Sequence, residues 1–318
     1  MSASPDRGLG VYMKNLAIIG AAGGLGSAMA FHLGLKGFFE EIRLLDVKAN
    51  MVQSHLIDLT ECFCEESPTR ISTGGWEALS GCDLVIMAAS IAGYRVSSRS
   101  DYLTANLPLV RETAARLKEY APGAAVICAT APVDAFVMTL LEETGFDRHR
   151  LMGFCRNDSQ RFRWALSEVL GLRGPRIGGL VVGEHGESQV PLFSTVTVDG
   201  EPYRPGQEQK QAVIDILRGW YPKWQALDSG RTTTWTSATS MGRVVESMLK
   251  ADPSEVCMGT ACLNGEYGLE GVALGLPLEV RPEGWHKVVE LPLSEDERKG
   301  LKASAEAVKS LYALTCRH

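Results

Sequence analysis

Three observations predict an α/β protein built on a doubly wound parallel sheet. Apolar strands alternate with amphipathic helices through the first half, a glycine-rich turn joins the first strand to the first helix, and an aspartate closes the second strand. From Lys14 the segment NLAIIG reads as a strand, Ala21-Ala22-Gly23-Gly24-Leu25-Gly26 as a turn, and SAMAFHLGLKG as an amphipathic helix; EIRLLD is the second strand. Gly20, Gly23 and Gly26 form a G-x-x-G-x-x-G spacing, in which missing side chains let backbone N–H groups approach a pyrophosphate at a helix N-terminus. Asp46 follows Gly26 by 20 residues and is placed to accept hydrogen bonds from ribose hydroxyls. Its charge repels a 2′-phosphate, which favours NAD over NADP. The same aspartate can instead cap the next helix.

The alternation continues. CDLVIMAAS reads as a buried strand, DYLTANLPLVRETAARLKEYA as a helix, AAVICAT as a strand and PVDAFVMTLLEETG as a helix opening at Pro132. The expected architecture is an N-terminal Rossmann sheet, residues 14–153, binding NAD, followed by a C-terminal α+β substrate domain, residues 154–318. Residues 1–13 read as a flexible extension. In such sheets ligands lie beyond the C-terminal strand ends, so the loops at 89–100 and 130–133 are expected to border the cofactor.

Composition narrows the partners. The 318 residues are 45% hydrophobic and 22% charged, as in ordinary globular proteins, and the formal net charge is −6. Nucleic acid and anionic membrane would each call for a basic patch, so neither is expected as a partner. No signal-type h-region or membrane-length apolar run occurs, and the expected location is the cytoplasm. Cys62-x-Cys64 and Cys257-x4-Cys262 match no zinc pairing with nearby histidines, so no metal is expected and the eight cysteines read as reduced, mostly buried thiols.

Charged groups for chemistry come from the second half. An apolar strand at 177–182 runs into Gly183-Glu184-His185-Gly186-Glu187-Ser188, placing one of only six histidines at a strand end. The histidine either serves chemistry or satisfies a turn. Asp158 and Arg161, three apart in the helical segment QRFRWALSEVLGL and its lead-in, share one face. Such a pair can orient an imidazole and grip a carboxylate, or can be a solvated ion pair. A strand-end imidazole, an Asp/Arg helix and an Arg-bearing loop at 94–99 together supply what hydride transfer to a carbonyl requires: an acid, a polarising cation and a carboxylate fork.

Taken together, these motifs resemble the lactate/malate dehydrogenase family from Asn15 to the final helix. GAAGGLG is similar to the malate-enzyme glycine loop, GEHGES to the family's catalytic-histidine motif, NDSQRFR to its aspartate-and-arginine helix, and VVELPLSEDERKGLKASAEAVKSL to its closing strand and helix. The resemblance implies that His185 gives and takes the proton, that Asp158 orients it, that Arg161 binds the substrate carboxylate, and that Arg99 in SSRSDYLTAN polarises the carbonyl from a closing loop. Cofactor contacts are implied for Gly20, Gly23, Gly24, Leu25, Gly26, Asp46, Ala89, Asn106 and Thr130. The substrate is then a small 2-oxo or 2-hydroxy acid, and the protein a homodimer or homotetramer.

Two departures from the family pattern touch the substrate. Where the usual motif has an asparagine before the proline that follows AAVICAT, this chain has Ala131, losing an amide donor to the substrate oxygen. Counting back from Arg99, the malate-type arginine falls on Gly93; Arg95, two residues on, either replaces it or is a surface charge. On the opposite wall GRTTTWTSATS places Thr233 at the substrate-facing position, unless 232–234 is simply an exposed, capped helix start. The expectation is a substrate with a polar or anionic C3 group: malate-like, or a sulfonate or phosphonate analogue. Ordinary malate or lactate dehydrogenase, a metal-dependent NAD glycosidase and a catalytically silent NADH-binding regulator are the alternatives.

Overall fold

The computed structural model describes residues 13–91, 99–172 and 176–317, with only the backbone of Arg99 and Arg317. Gly93 and Arg95 therefore lie outside the described residues. The first half forms β1 (Asn15–Ile19), α1 (Gly24–Lys36), β2 (Glu41–Leu45), α2 (Ala49–Glu66), β3 (Arg70–Thr73), β4 (Leu84–Met87), α3 (Arg99–Tyr120), β5 (Ala125–Cys128), α4 (Val133–Thr144) and β6 (Leu151–Gly153). These strands pair in parallel in the order β3-β2-β1-β4-β5-β6, so the chain reverses winding direction between β1 and β4. That crevice is where a doubly wound sheet binds a dinucleotide. β4 and β5 are buried along their whole length, which explains why they read as continuous apolar runs rather than as alternating strands.

The second half adds α5 (Arg156–Leu170), β7 (Ile177–Val182), β8 (Val190–Val198), β9 (Glu201–Pro202), α6 (Gln207–Ala226), α7 (Trp235–Lys250), β10 (Cys257–Asn264), β11 (Glu270–Arg281), β12 (Gly284–Val288) and α8 (Glu295–Tyr312). Its strands divide. β7, β8 and β9 form a separate antiparallel sheet, whereas β10 to β12 extend the parallel sheet antiparallel to β6, through the pair Gly153–Thr260. One apolar core spans the nine-stranded sheet, and a smaller one of Phe162, Leu166, Val181, Val196 and Val213 seals α5 and α6 against β7 and β8.

Several boundaries differ from the sequence reading. α1 begins at Gly24, three residues before Ser27, because the second half of the glycine turn already has helical backbone and presents its first-turn N–H groups. α4 begins at Val133 with Pro132 as its N-cap. α5 begins at Arg156, two residues ahead of Asp158. All eight cysteines are free thiols; Cys82, Cys128, Cys155 and Cys257 are buried, Cys62 and Cys262 half-buried, and Cys64 and Cys316 exposed. Among the described residues no helix is long and apolar enough to cross a membrane.

Candidate active site

The glycine turn has the shape its composition implies. Gly20 has φ +91°, a region side chains disfavour, and a Cβ there would lie within 2.5 Å of the Ala89 Cα. A Cβ at Gly26 would come within 2.8 Å of the Ala21 Cα, so α1 can start against the turn only with glycine there. Gly23 and Gly24 are exposed and Leu25 is half-buried. Asp46 lies at the end of β2, its Oδ2 accepting from the Ala22 N–H at 3.1 Å and its Oδ1 from the Lys48 N–H at 3.0 Å. Asp46 thus ties the glycine turn to Lys48, the residue that precedes α2, but it does not cap that helix: the N-cap position is Lys48 and no side chain makes a capping bond there. Thr130 donates its hydroxyl to the Ala89 carbonyl at 2.8 Å, joining the ends of β4 and β5.

Asn106 is fully buried. Its Oδ1 accepts from the Ile91 N–H at 2.7 Å and its Nδ2 donates to the Ala131 carbonyl at 3.4 Å. This places it behind the two loops that border the crevice. The glycines where backbones approach closely, the exposed turn ahead of α1 and the carboxylate following β2 fit NAD in kind: backbone N–H groups at a helix N-terminus suit a pyrophosphate, and a carboxylate suits ribose hydroxyls.

The charged cluster is built on α5 and on the loop after β7. Ser159 accepts from the Val181 N–H at 3.0 Å, pinning the first turn of α5 against β7 and burying Asp158 to 5% exposure. Across that contact His185 Nδ1 lies 2.5 Å from Asp158 Oδ2, and Asp158 Oδ1 accepts from Arg161 Nη1 at 3.4 Å. A buried carboxylate at Nδ1 holds the ring with its proton on that side, leaving Nε2 for chemistry. Burial pulls the Arg161 guanidinium below its usual pKa, and the Asp158 charge works against that pull. Only 14% of the Arg161 side chain is exposed, which excludes the solvated-pair reading.

The histidine loop is fixed at every step. Gly183, φ +93°, exchanges two backbone hydrogen bonds with Gly275 of β11, at 2.9 and 2.8 Å. Glu184 N–H donates to Ser304 Oγ at 2.6 Å, and the Glu184 carboxylate accepts from the Ser188 hydroxyl at 2.6 Å. His185 N–H donates to Asp134 Oδ2 at 2.7 Å, while Asp134 Oδ1 accepts from Thr260 Oγ1 at 2.9 Å. Asp134 is a site residue that the motifs do not mark. Its signal was a carboxylate in the apolar helix VDAFVMTLLEET, otherwise uncharged until its last turn.

Burial pushes the Asp134 carboxyl up to about 6, against the pull of His185 and of the two hydrogen bonds it accepts. With the folded value above the unfolded 3.8, the native state holds the proton more tightly. Stability is therefore greatest below the unfolded value, declines as pH rises through this window and levels off above the folded value, a loss of about 3 kcal/mol. Asp134→Asn removes the charge and can keep both contacts, its amide oxygen accepting from His185 N–H and its amide N–H donating to Thr260 Oγ1, a bond reversed from wild type. Urea denaturation of both proteins at one protein concentration is expected to show the variant gaining on wild type between pH 4 and pH 7.

On the opposite wall, Thr233 Oγ1 lies 3.1 Å from Ser237 Oγ, and Thr234 is buried as the residue preceding α7 with no side-chain capping bond. A Cβ at Gly24 would meet Thr234 Cγ2 at 3.0 Å, so this wall abuts the glycine turn. Asp158, Arg161 and His185 are thus brought together, as are Gly20, Gly23, Gly24, Gly26, Ala89 and Thr130 around the β1 crevice. The backbone of Arg99 opens α3.

A dinucleotide crevice in a Rossmann sheet, combined with a carboxylate–imidazole pair, is the equipment of a nicotinamide-dependent oxidoreductase. The family model for the lactate/malate dehydrogenase NAD-binding domain matches residues 14–153, and that for the lactate/malate dehydrogenase alpha/beta C-terminal domain matches 223–314. A malate dehydrogenase of Halobacterium salinarum is 31% identical over 304 residues, covering 94% of this chain and 99% of its own. The crystal structure of Cryptosporidium parvum malate dehydrogenase superposes with a TM-score of 0.90 at 29% identity, covering 96% of this chain and all of its own. The lactate dehydrogenase of the same organism, complexed with lactic acid and the nicotinamide dinucleotide, does so with a TM-score of 0.89 at 27% identity, over 97% of this chain and 99% of its own. The chain belongs to the lactate/malate dehydrogenase family, and it is an NAD-dependent dehydrogenase of 2-hydroxy acids.

Proposed function

We propose that the protein interconverts a 2-hydroxy acid and a 2-oxo acid carrying a polar or anionic group on C3. The observation that carries the chemistry is the 2.5 Å contact of His185 Nδ1 with buried Asp158, on the same helix turn as Arg161. In reduction, protonated His185 donates from Nε2 to the carbonyl oxygen; in oxidation the neutral ring takes the hydroxyl proton. NAD, when bound, accepts or delivers the hydride at C2. Arg161 holds the C1 carboxylate through its planar fork, and Arg99 polarises the carbonyl. Gly20, Gly23, Gly24, Leu25 and Gly26 accommodate the pyrophosphate and Asp46 the ribose. Ala89 and Thr130 border the nicotinamide side, with Asn106 holding those loops in place. Residues 14–153 serve the cofactor and 154–318 the substrate.

The polar C3 group is supported by the hydroxyls of Thr233 and Ser237 and by Arg231, whose Nη2 donates to Thr234 Oγ1 at 3.1 Å. From the sequence, the absence of a side chain at Gly93 is consistent with a C3 substituent bulkier than hydrogen, and Arg95 is the candidate cation for it. Malate itself is the simplest such acid, and the names of the relatives favour it. Exposed Phe31, Ile57 and Trp235 support assembly into a homodimer or homotetramer. The deciding experiment is NADH oxidation against pyruvate, oxaloacetate, phenylpyruvate, sulfopyruvate and phosphonopyruvate, with wild type and Arg95→Ala. A C3-anionic acid is expected to give the highest kcat/KM and to lose that advantage in the variant. Preference for pyruvate or phenylpyruvate would overturn the anionic-substrate reading, and an unchanged profile in the variant would make Arg95 a surface charge.

A further inference from the structure

The partner that Arg161 has besides Asp158 was not signalled by the sequence. Its guanidinium carbon lies 3.8 Å from the centroid of the Trp220 ring on α6. Behind Trp220, one helical turn on, Trp224 stacks at 5.4 Å between centroids with the planes inclined by 20°. Trp224 Nε1–H in turn donates to the Arg231 carbonyl at 3.1 Å, and the Arg231 guanidinium reaches Thr234 Oγ1. A continuous run of contacts therefore leads from Arg161 through two indoles to the loop that bears Thr233.

The geometry suits a grip on a planar anion. A guanidinium stacked on an aromatic face leaves its N–H groups pointing outward in its own plane, the directions a carboxylate fork uses. Burial and the long hydrogen bond to Asp158 leave the tilt of that plane loosely held; the Trp220 face restrains it. Trp220 is only half-buried, so packing alone does not account for a large aromatic at this position. Trp164, Tyr221 and Leu227 nearby are exposed, so the stack stands at the rim of the smaller core rather than inside it.

We propose that Trp220 is a positioning residue for the carboxylate-binding Arg161, and that Trp224 extends this support to the Thr233 wall, so that the α6 tryptophan pair sets both substrate affinity and side-chain preference. The inference rests on the assignment of Arg161 to the substrate carboxylate. A cation–π contact of this kind contributes about 0.5–2 kcal/mol, or about two- to thirtyfold in affinity.

The test measures KM and kcat for oxaloacetate and pyruvate, and the Kd for NADH, in Trp220→Leu, Trp220→Phe, Trp224→Phe and Arg161→Gln. Trp220→Leu is expected to raise the oxo-acid KM about tenfold, within the range of such contacts, with kcat and the NADH Kd nearly unchanged. Trp220→Phe, which keeps a ring under the guanidinium, is expected to recover most of the affinity; if the leucine variant does not fold, Trp220→Gln, which also removes the ring, takes its place and is expected to raise the KM similarly. Trp224→Phe keeps the stack but removes the N–H donor to Arg231, and is expected to shift the oxaloacetate-to-pyruvate ratio. In the Arg161→Gln background the Trp220 effect should vanish, since the two side chains act as one unit.

An unchanged KM in Trp220→Leu, or an NADH Kd that rises by the same factor, would overturn the positioning role. If Arg161→Gln itself leaves KM unchanged, the assignment of Arg161 fails instead. If it raises KM strongly while both Trp220 variants do nothing, only the stack proposal fails.

Discussion

Replacing His185 with alanine is expected to lower kcat by about 10²–10⁴-fold in both directions while NADH binding survives. The separation follows from where the residue is anchored. His185 sits on the loop between β7 and β8, and its ring contacts Asp158 of α5, whereas the glycine turn and Asp46 belong to β1, α1 and β2. The backbone contacts of the loop, from Gly183 to Gly275, from Glu184 to Ser304 and from His185 N–H to Asp134, do not require the imidazole. The variant should therefore fold and bind NADH with a wild-type Kd by fluorescence titration. A parallel loss of NADH affinity would mark His185 as a structural residue.

Asp158→Asn is expected to be comparably damaging, about 10³–10⁴-fold in the oxidative kcat, with little change in shape. If the amide turns its N–H toward His185, the ring must accept at Nδ1, which moves its proton to Nε2. An Nε2–H tautomer cannot take a proton from the substrate hydroxyl. If instead the amide oxygen faces His185, the amide nitrogen faces Arg161 Nη1, donor against donor, at the position where the carboxylate accepts at 3.4 Å. Either orientation leaves one partner mismatched in a buried site. Oxidative turnover within tenfold of wild type would show that the contact orients nothing that matters to the reaction.

Much of this architecture was legible in the sequence because it is local. The run 177–182 coincides with β7, the turn after NLAIIG carries glycines where backbones pass close together, and Asp46 directly follows β2. Asp158 with Arg161 was ambiguous. Spacing puts both on one face, but only the packing of α5 on β7 through Ser159 decides that the face is buried. Other features are nonlocal and left no trace in periodicity. β10 to β12 fall within residues 154–318, assigned by sequence to a second domain, yet the pairing of Thr260 with Gly153 adds them to the first sheet. Asp134 could be recognised only once β11 and α8 had fixed the histidine loop above it, and Trp220 only once α6 had packed against α5.

The most direct test of the chemistry is the pH dependence of kcat/KM in both directions, for wild type and His185→Ala. If one imidazole donates in reduction and accepts in oxidation, the reductive rate falls with pH and the oxidative rate rises, the two sharing one free-enzyme pKa that disappears in the variant. Profiles that bend the same way in both directions, or that persist without the imidazole, would contradict His185 as the group that moves the proton.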